Sequence, residues 1–300
     1  MTRDPERVSR APAPAPAAHA AAADPGAAGA PIGVFDSGVG GLTVLRAIHA
    51  HLPGESTIYL GDTARVPYGP KSPETVRRYA REAADFLLGR GVKALVIACN
   101  TATAHAFDAL SQGLEIPVIG VVEPGAREAA AASATGVIGV IGTRGTVASG
   151  SYERAILAAR PAATVRSAAC PLFVALAEEG WVSGDVPELT ARRYLDPLLE
   201  AGIDTLVLGC THYPLLRGLL AEVAGAGVRL VDSAEATARE TARVLETRRL
   251  EASTGGSRAR EYFVTDDTRL FGELARLFLG APVTRVESVA LGEAAGGEAS

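Results

Sequence analysis

A chain of 300 residues, 48% hydrophobic and 21% charged, is long enough for two cored domains and has the balance of a soluble globular protein. A net charge of −5 and a pI near 5.6 exclude recruitment to nucleic acid or to an anionic membrane by bulk electrostatics. Three cysteines, few and odd in number, argue against a disulfide framework and for a reducing cytoplasm, and no apolar run approaches the ~18 residues of a membrane span.

Residues 1–30 form a separate zone. Ala11 to Ala30 holds twelve Ala and four Pro, with no leucine-like apolar core and no cleavage context, so a signal peptide is not expected. Such a segment buries too little surface to offset its ordering entropy and reads as a disordered extension. From Pro31 a regular alternation begins. Strands are expected at 32–35, 57–60, 94–98, 117–121, 137–141, 163–168, 205–208, 228–231, 261–264 and 283–289. Helical patterns fill the gaps, among them Pro73–Leu88, Pro124–Ala132, Val147–Ala159, Glu188–Ala201 and Ala234–Leu250. Strand–helix alternation implies parallel sheets wrapped by helices, an α/β fold. Residues 291–300 read as a flexible tail.

Along this alternation, chemistry-bearing residues recur at the carboxyl ends of strands, the edge where ligands bind in open α/β sheets. Asp36-Ser37-Gly38-Val39-Gly40-Gly41 follows the first strand. Its glycines can offer backbone N–H groups to an anion, although Asp36 could equally cap the next helix. It is not a dinucleotide fingerprint, and no phosphate-loop motif occurs. Residues 61–70 form a Gly/Pro-dense loop in which Tyr68-Gly69 could close over a ligand. Leu95-Val96-Ile97-Ala98-Cys99-Asn100-Thr101 is an apolar strand ending in a thiol and two hydrogen-bonding side chains. Thr143 and Thr146 occupy a glycine turn after the fifth strand and could bond a carboxylate. Cys170 precedes Pro171 without polar neighbours and reads as structural. Leu206-Val207-Leu208-Gly209-Cys210-Thr211-His212 then repeats the first thiol motif, and Pro214 suits a first helical turn.

Two motif pairs share an offset of about one hundred residues: the two cysteine motifs, and Ile32–Gly41 with Ile138–Val147. A common offset predicts two similar lobes, each a mainly parallel sheet flanked by helices, with the active site in the cleft between them. The first lobe is expected to span 31–123 and 232–290, the second 124–231.

Two thiols without Cys-x-x-Cys spacing argue against zinc and against a low-potential redox disulfide, so no metal is expected. Nucleophilic catalysis needs one thiol and a base rather than two thiols. What remains is acid/base work on both faces of one carbon: a thiolate removes a proton on one side and a thiol delivers one on the other, inverting a stereocentre. Asp36 and His212 can each assist the thiol beside it. The chain's two lysines, Lys71 in a Pro-rich loop and Lys93 at the wrong end of a strand, fit poorly with a pyridoxal Schiff base.

Phe35–Gly41, Gly61–Gly69, Ala98–Ala102 and Gly209–Pro214 together resemble the signatures of the glutamate racemases, within the aspartate/glutamate racemase superfamily, over about residues 31–290. The resemblance implies a cofactor-independent, cytoplasmic two-thiol enzyme that interconverts L- and D-glutamate for peptidoglycan synthesis. It implies Cys99 and Cys210 as the acid/base pair. Asp36, Ser37, Tyr68, Gly69, Asn100, Thr101, Thr211 and His212 would surround the substrate, with Thr143 and Thr146 at a carboxylate-binding turn. A related aspartate or hydantoin racemase would share the thiols, and a two-lobed binding protein could keep the fold. No nucleic-acid or membrane partner is expected, and a homodimer is one open outcome for the assembly.

Overall fold

The structure is a computed structural model that describes residues 28–253, 258–283 and 285–292. Residues 1–27 of the expected extension and 293–300 of the expected tail lie outside the described residues. Two parallel sheets organise the chain. The first contains β1 (Ile32–Asp36), β2 (Thr57–Gly61), β3 (Ala94–Ile97), β4 (Val118–Gly120), β9 (Arg260–Val264) and β10 (Glu287–Ser288), in the order β10-β9-β2-β1-β3-β4. The second contains β5 (Val137–Gly142), β6 (Thr164–Ala169), β7 (Thr205–Gly209) and β8 (Arg229–Asp232), in the order β6-β5-β7-β8. The run β2-β1-β3-β4 and the run β6-β5-β7-β8 are the same arrangement, so the α/β fold with two similar parallel-sheet lobes is confirmed.

The central strands β1, β2, β3 and β7 are buried along their whole length, which explains their near-continuous apolar sequence. Crossovers between parallel strands are supplied by helices α1 (Leu42–His51), α2 (Pro73–Leu88), α3 (Asn100–Gly113), α4 (Val122–Ala132), α5 (Arg144–Ala148), α6 (Ser151–Ala159), α7 (Leu172–Glu178), α8 (Asp185–Glu200), α9 (Arg217–Ala224), α10 (Ser233–Arg248) and α11 (Thr268–Leu279). Each sheet carries an apolar layer on both faces. Val34, Leu45, Ile48 and Phe278 lie on one side of the first sheet, and Phe35, Leu60, Leu87 and Ile97 on the other. Each such side chain contributes about 1.5–3 kcal/mol by leaving water. Helix α10 packs on α1 and on α4 and so ties the two lobes together.

Three details depart from the sequence expectations. The helix expected over Val147–Ala159 is two helices, because Gly150 adopts a left-handed conformation (φ 64°) and breaks the run. Among the described residues of the strand expected at 283–289, Glu287–Ser288 form one, an exposed edge pairing against β9. Ala28, expected within the disordered extension, accepts a hydrogen bond from Lys93 Nζ at 2.7 Å through its carbonyl. Lys93 lies at the amino end of β3, fully buried and 2.6 Å from Glu55 Oε2. It stands at the opposite end of β3 from Cys99.

Candidate active site

The loops that leave β1, β3, β5 and β7 meet where the two sheets face each other. Ser37, Tyr68, Gly69, Cys99, Asn100, Thr101, Thr143, Cys210, Thr211 and His212 line one cavity of about 20 Å³, together with Val66, Pro67 and Val174. That space holds about one water, so the cleft is closed. Two of the expected residues stand behind the lining. Asp36 is fully buried, accepts a hydrogen bond from Gly38 N at 3.0 Å and another from Thr211 Oγ1 at 3.5 Å, and does not cap α1. Thr146 reaches the cavity only through a triangle of hydroxyls with Thr101 and Thr143, at 2.8–3.1 Å.

The two thiols stand in different surroundings. Cys99 is the N-cap of α3, its sulfur accepting from Ala102 N at 3.5 Å and donating to Ser37 Oγ at 3.6 Å. Burial, reinforced by the negative charge of Asp36, pushes this thiol up to about 12 against the pull of the helix N-terminus and Ser37. Cys99 therefore rests as a neutral thiol in the closed cleft. Asp36 acts on it by charge, and the hydrogen bond comes from Ser37. Burial raises Asp36 itself, while the His212 charge and three backbone N–H groups oppose the shift.

Cys210 lies 3.8 Å from His212 Nδ1, and His212 Nε2 lies 2.9 Å from Glu178 Oε1. Burial alone would lower His212, but its bonds to Cys210 and Glu178, with their negative charge, outweigh burial and hold it up at about 10. The imidazole is thus a cation at neutral pH, set between a sulfur and a carboxylate. Glu178, at the last turn of α7, carried no signal in the sequence: it sits in an ordinary amphipathic helix and reaches His212 only through the packing of the second lobe.

Close contacts across the cleft explain its glycines. A Cβ at Gly40 would fall 2.4 Å from Thr211 Oγ1 and 2.6 Å from His212 Nδ1, and one at Gly69 would fall 2.7 Å from Thr143 Cβ. Gly145 N donates to Gly69 O at 2.9 Å, an interlobe backbone bond. The loop bearing Tyr68 is anchored from below, where Asp62 accepts from Tyr68 Oη (2.5 Å), Thr265 Oγ1 (2.9 Å) and Arg65 Nε (2.7 Å). Asp62 and Arg65 were visible in the loop motif but carried no assigned role. Cys170 is fully buried with its sulfur 3.6 Å from Ala168 O, and burial pushes its thiol up.

A roomier cavity of about 550 Å³ lies elsewhere at the lobe junction, lined by Thr103, Phe107, Pro124, Arg127 and Val244 among others. It contains neither thiol nor imidazole, so volume there does not mark the chemistry. Among the described residues no helix is long and apolar enough to cross a membrane, and no three His, Cys, Asp or Glu side chains gather as a metal would require.

The Asp/Glu/Hydantoin racemase family profile matches residues 32–241. A glutamate racemase of Geobacter metallireducens is 56% identical over 260 residues, covering 87% of this chain and 96% of that one. Among solved structures, the RacE1 isoform of glutamate racemase from Bacillus anthracis superposes with a TM-score of 0.84 at 41% identity, covering 87% of this chain and 97% of its own. A glutamate racemase from Francisella tularensis, solved in complex with D-glutamate, gives 0.82 at 37% identity, covering 88% and 98%.

Proposed function

Since the chain belongs to the Asp/Glu/Hydantoin racemase family and is an amino-acid racemase, we propose that it interconverts L- and D-glutamate through the thiols of Cys99 and Cys210, without a cofactor. The single observation carrying this reading is that two thiols in unlike surroundings line one closed cavity. In the L-to-D direction, Cys210 as thiolate takes the α-proton, while the cationic His212 compensates the charge on its sulfur. Cys99, a neutral thiol, delivers a proton to the opposite face of the same carbon. The turnover leaves Cys210 as the thiol and Cys99 as the thiolate, which is the starting arrangement for D-glutamate.

Asp36 makes a resting charge on Cys99 costly, which supports this assignment of starting states. The hydroxyls of Ser37, Thr101, Thr143 and Thr211, with the carboxamide of Asn100, supply donors for two carboxylates, and Tyr68-Gly69 roofs the site. The hydroxyl triangle supports Thr143 and Thr146 as part of the carboxylate-binding turn. Because the closed cavity has room for about one water, the lobes must part to admit glutamate and close again to exclude solvent. We read residues 31–123 with 232–290 as one moving lobe and 124–231 as the other. The D-glutamate so formed would serve peptidoglycan synthesis in the cytoplasm.

The test is optical rotation of L-glutamate and, separately, L-aspartate with pure protein dialysed against chelator and free of pyridoxal. Loss of rotation with glutamate alone is expected. Racemisation of aspartate in preference would transfer the assignment to a related substrate, and no change with either would support a binding protein.

A further inference from the structure

Tyr152 lies outside the cavity lining, yet it touches the residue that follows one thiol and packs beside the residue that precedes the other. It sits on α6 of the second sheet's lobe and is 2% exposed. Its Oη donates to Asn100 Oδ1 at 2.7 Å, and Asn100 directly follows Cys99. Its ring lies against Gly209, which directly precedes Cys210: a Cβ there would stand 3.1 Å from Tyr152 Cε2. One side chain therefore links the ends of β3 and β7.

A second observation concerns the other end of the Asn100 carboxamide. Asn100 is 2% exposed and lines the cavity, and its Nδ2 is buried with no hydrogen-bond partner among the described residues. A buried donor without a partner is costly and calls for an acceptor from a ligand. The phenol has a single proton, and it is spent on Asn100 Oδ1. That bond fixes which face of the carboxamide turns to the cavity. Because Tyr152 comes from the opposite lobe, its bond to the carboxamide spans the cleft.

We propose that Tyr152 is a positioning residue for racemisation: its hydroxyl turns Asn100 Nδ2 toward a substrate carboxylate, and its ring sets the spacing to the strand end that carries Cys210. This inference rests on the reading of the cleft as a glutamate site.

The experiment is a double-mutant cycle of wild type, Y152F, N100A and Y152F/N100A. It is read as kcat and KM for L-glutamate, as calorimetric Kd for D-glutamate and as Tm. Y152F keeps the ring and removes only the hydroxyl. The expected result is a rise in KM and Kd of about threefold to tenfold, the worth of one neutral hydrogen bond. Expected alongside it are a nearly unchanged kcat and Tm, and no further rise when Y152F is added to N100A. Should N100A turn over too slowly to measure, the Kd values complete the cycle. Wild-type constants in Y152F would overturn the inference. So would equal losses in both backgrounds, or a fall in Tm with KM unchanged, which marks a merely structural tyrosine. Failure of the wild-type chain to act on glutamate would overturn the substrate reading and this inference with it, whereas an active wild type with an indifferent Y152F overturns Tyr152 alone.

Discussion

Glu178→Gln isolates the charge that keeps His212 protonated. The two side chains meet at 2.9 Å, with 4% of the His212 and 31% of the Glu178 side chain exposed, so solvent screening is limited. A hydrogen bond to a charged group is worth about 1.5–3 kcal/mol, which corresponds to a roughly 10- to 100-fold change in the proton affinity of the imidazole. The folded value of about 10 lies above the ordinary 6.5. The bound proton therefore stabilises the fold fully below pH ~6.5, and that contribution is lost as pH rises through about 10. Gln keeps the shape and removes the charge. At pH 6, Glu178→Gln should lower Tm by roughly 3–12 °C, on the scale of 2–4 °C per kcal/mol for a domain of 150–250 residues. The two Tm curves should draw together as pH rises through about 10, where wild-type His212 releases its proton. Racemisation at neutral pH should fall by at least ~10-fold, because the counter-charge beside Cys210 is weakened. Calorimetric melts from pH 6 to 10.5 beside a polarimetric rate read both effects. Parallel Tm curves, separated by the same amount at pH 10.5 as at pH 6, would refute the reasoning.

Gly40→Ala introduces a methyl 2.4 Å from Thr211 Oγ1 across the cleft, which should hold the lobes apart. Activity is expected to collapse while the Tm falls only by the equivalent of about 1–3 kcal/mol, the usual cost of overpacking. A fully active Gly40→Ala would show that the closed cleft is not the working form. Lys93→Met removes one partner of a buried ion pair and leaves Glu55 uncompensated. It should destabilise the protein by about 3–5 kcal/mol yet leave the turnover of the folded fraction intact, as cold-temperature rates would register. Total loss of turnover in folded Lys93→Met would point instead to a Schiff base. Cys170→Ala should retain turnover at a stability cost of about 0.5–3 kcal/mol; an inactive but folded variant would contradict its structural role.

The strand ends were legible because their chemistry is local. Three apolar residues followed by a small one and a thiol suffice to mark both β3 with Cys99 and β7 with Cys210, and the shared offset made two similar sheets readable. The helix expected over 147–159 divides because Gly150 takes a positive φ, a backbone state that the flanking Val147-Ala148 and Tyr152–Ala159 do not announce. Contacts between lobes left no trace in the sequence. Tyr152 reaches Asn100 only because the two sheets face each other, and no spacing along the chain encodes that approach; Glu178 reaches His212 within the second lobe, through packing that is equally unwritten in the local sequence. Asp62 was within a recognised motif, yet its task of anchoring Tyr68 depends on Thr265, some two hundred residues away.

Proton traffic in deuterated water tests the two-thiol account most directly. L-Glutamate is incubated with the enzyme in D₂O, and the α-hydrogen of both enantiomers is followed at early times by mass spectrometry after chiral separation. If Cys210 takes the proton on one face and Cys99 delivers on the other, D-glutamate appears carrying deuterium while the remaining L-glutamate keeps its original hydrogen. With either Cys99→Ala or Cys210→Ala, racemisation ceases in both directions. Deuterium entering recovered L-glutamate as fast as it enters product, or a single cysteine variant that racemises at a near wild-type rate, would contradict it.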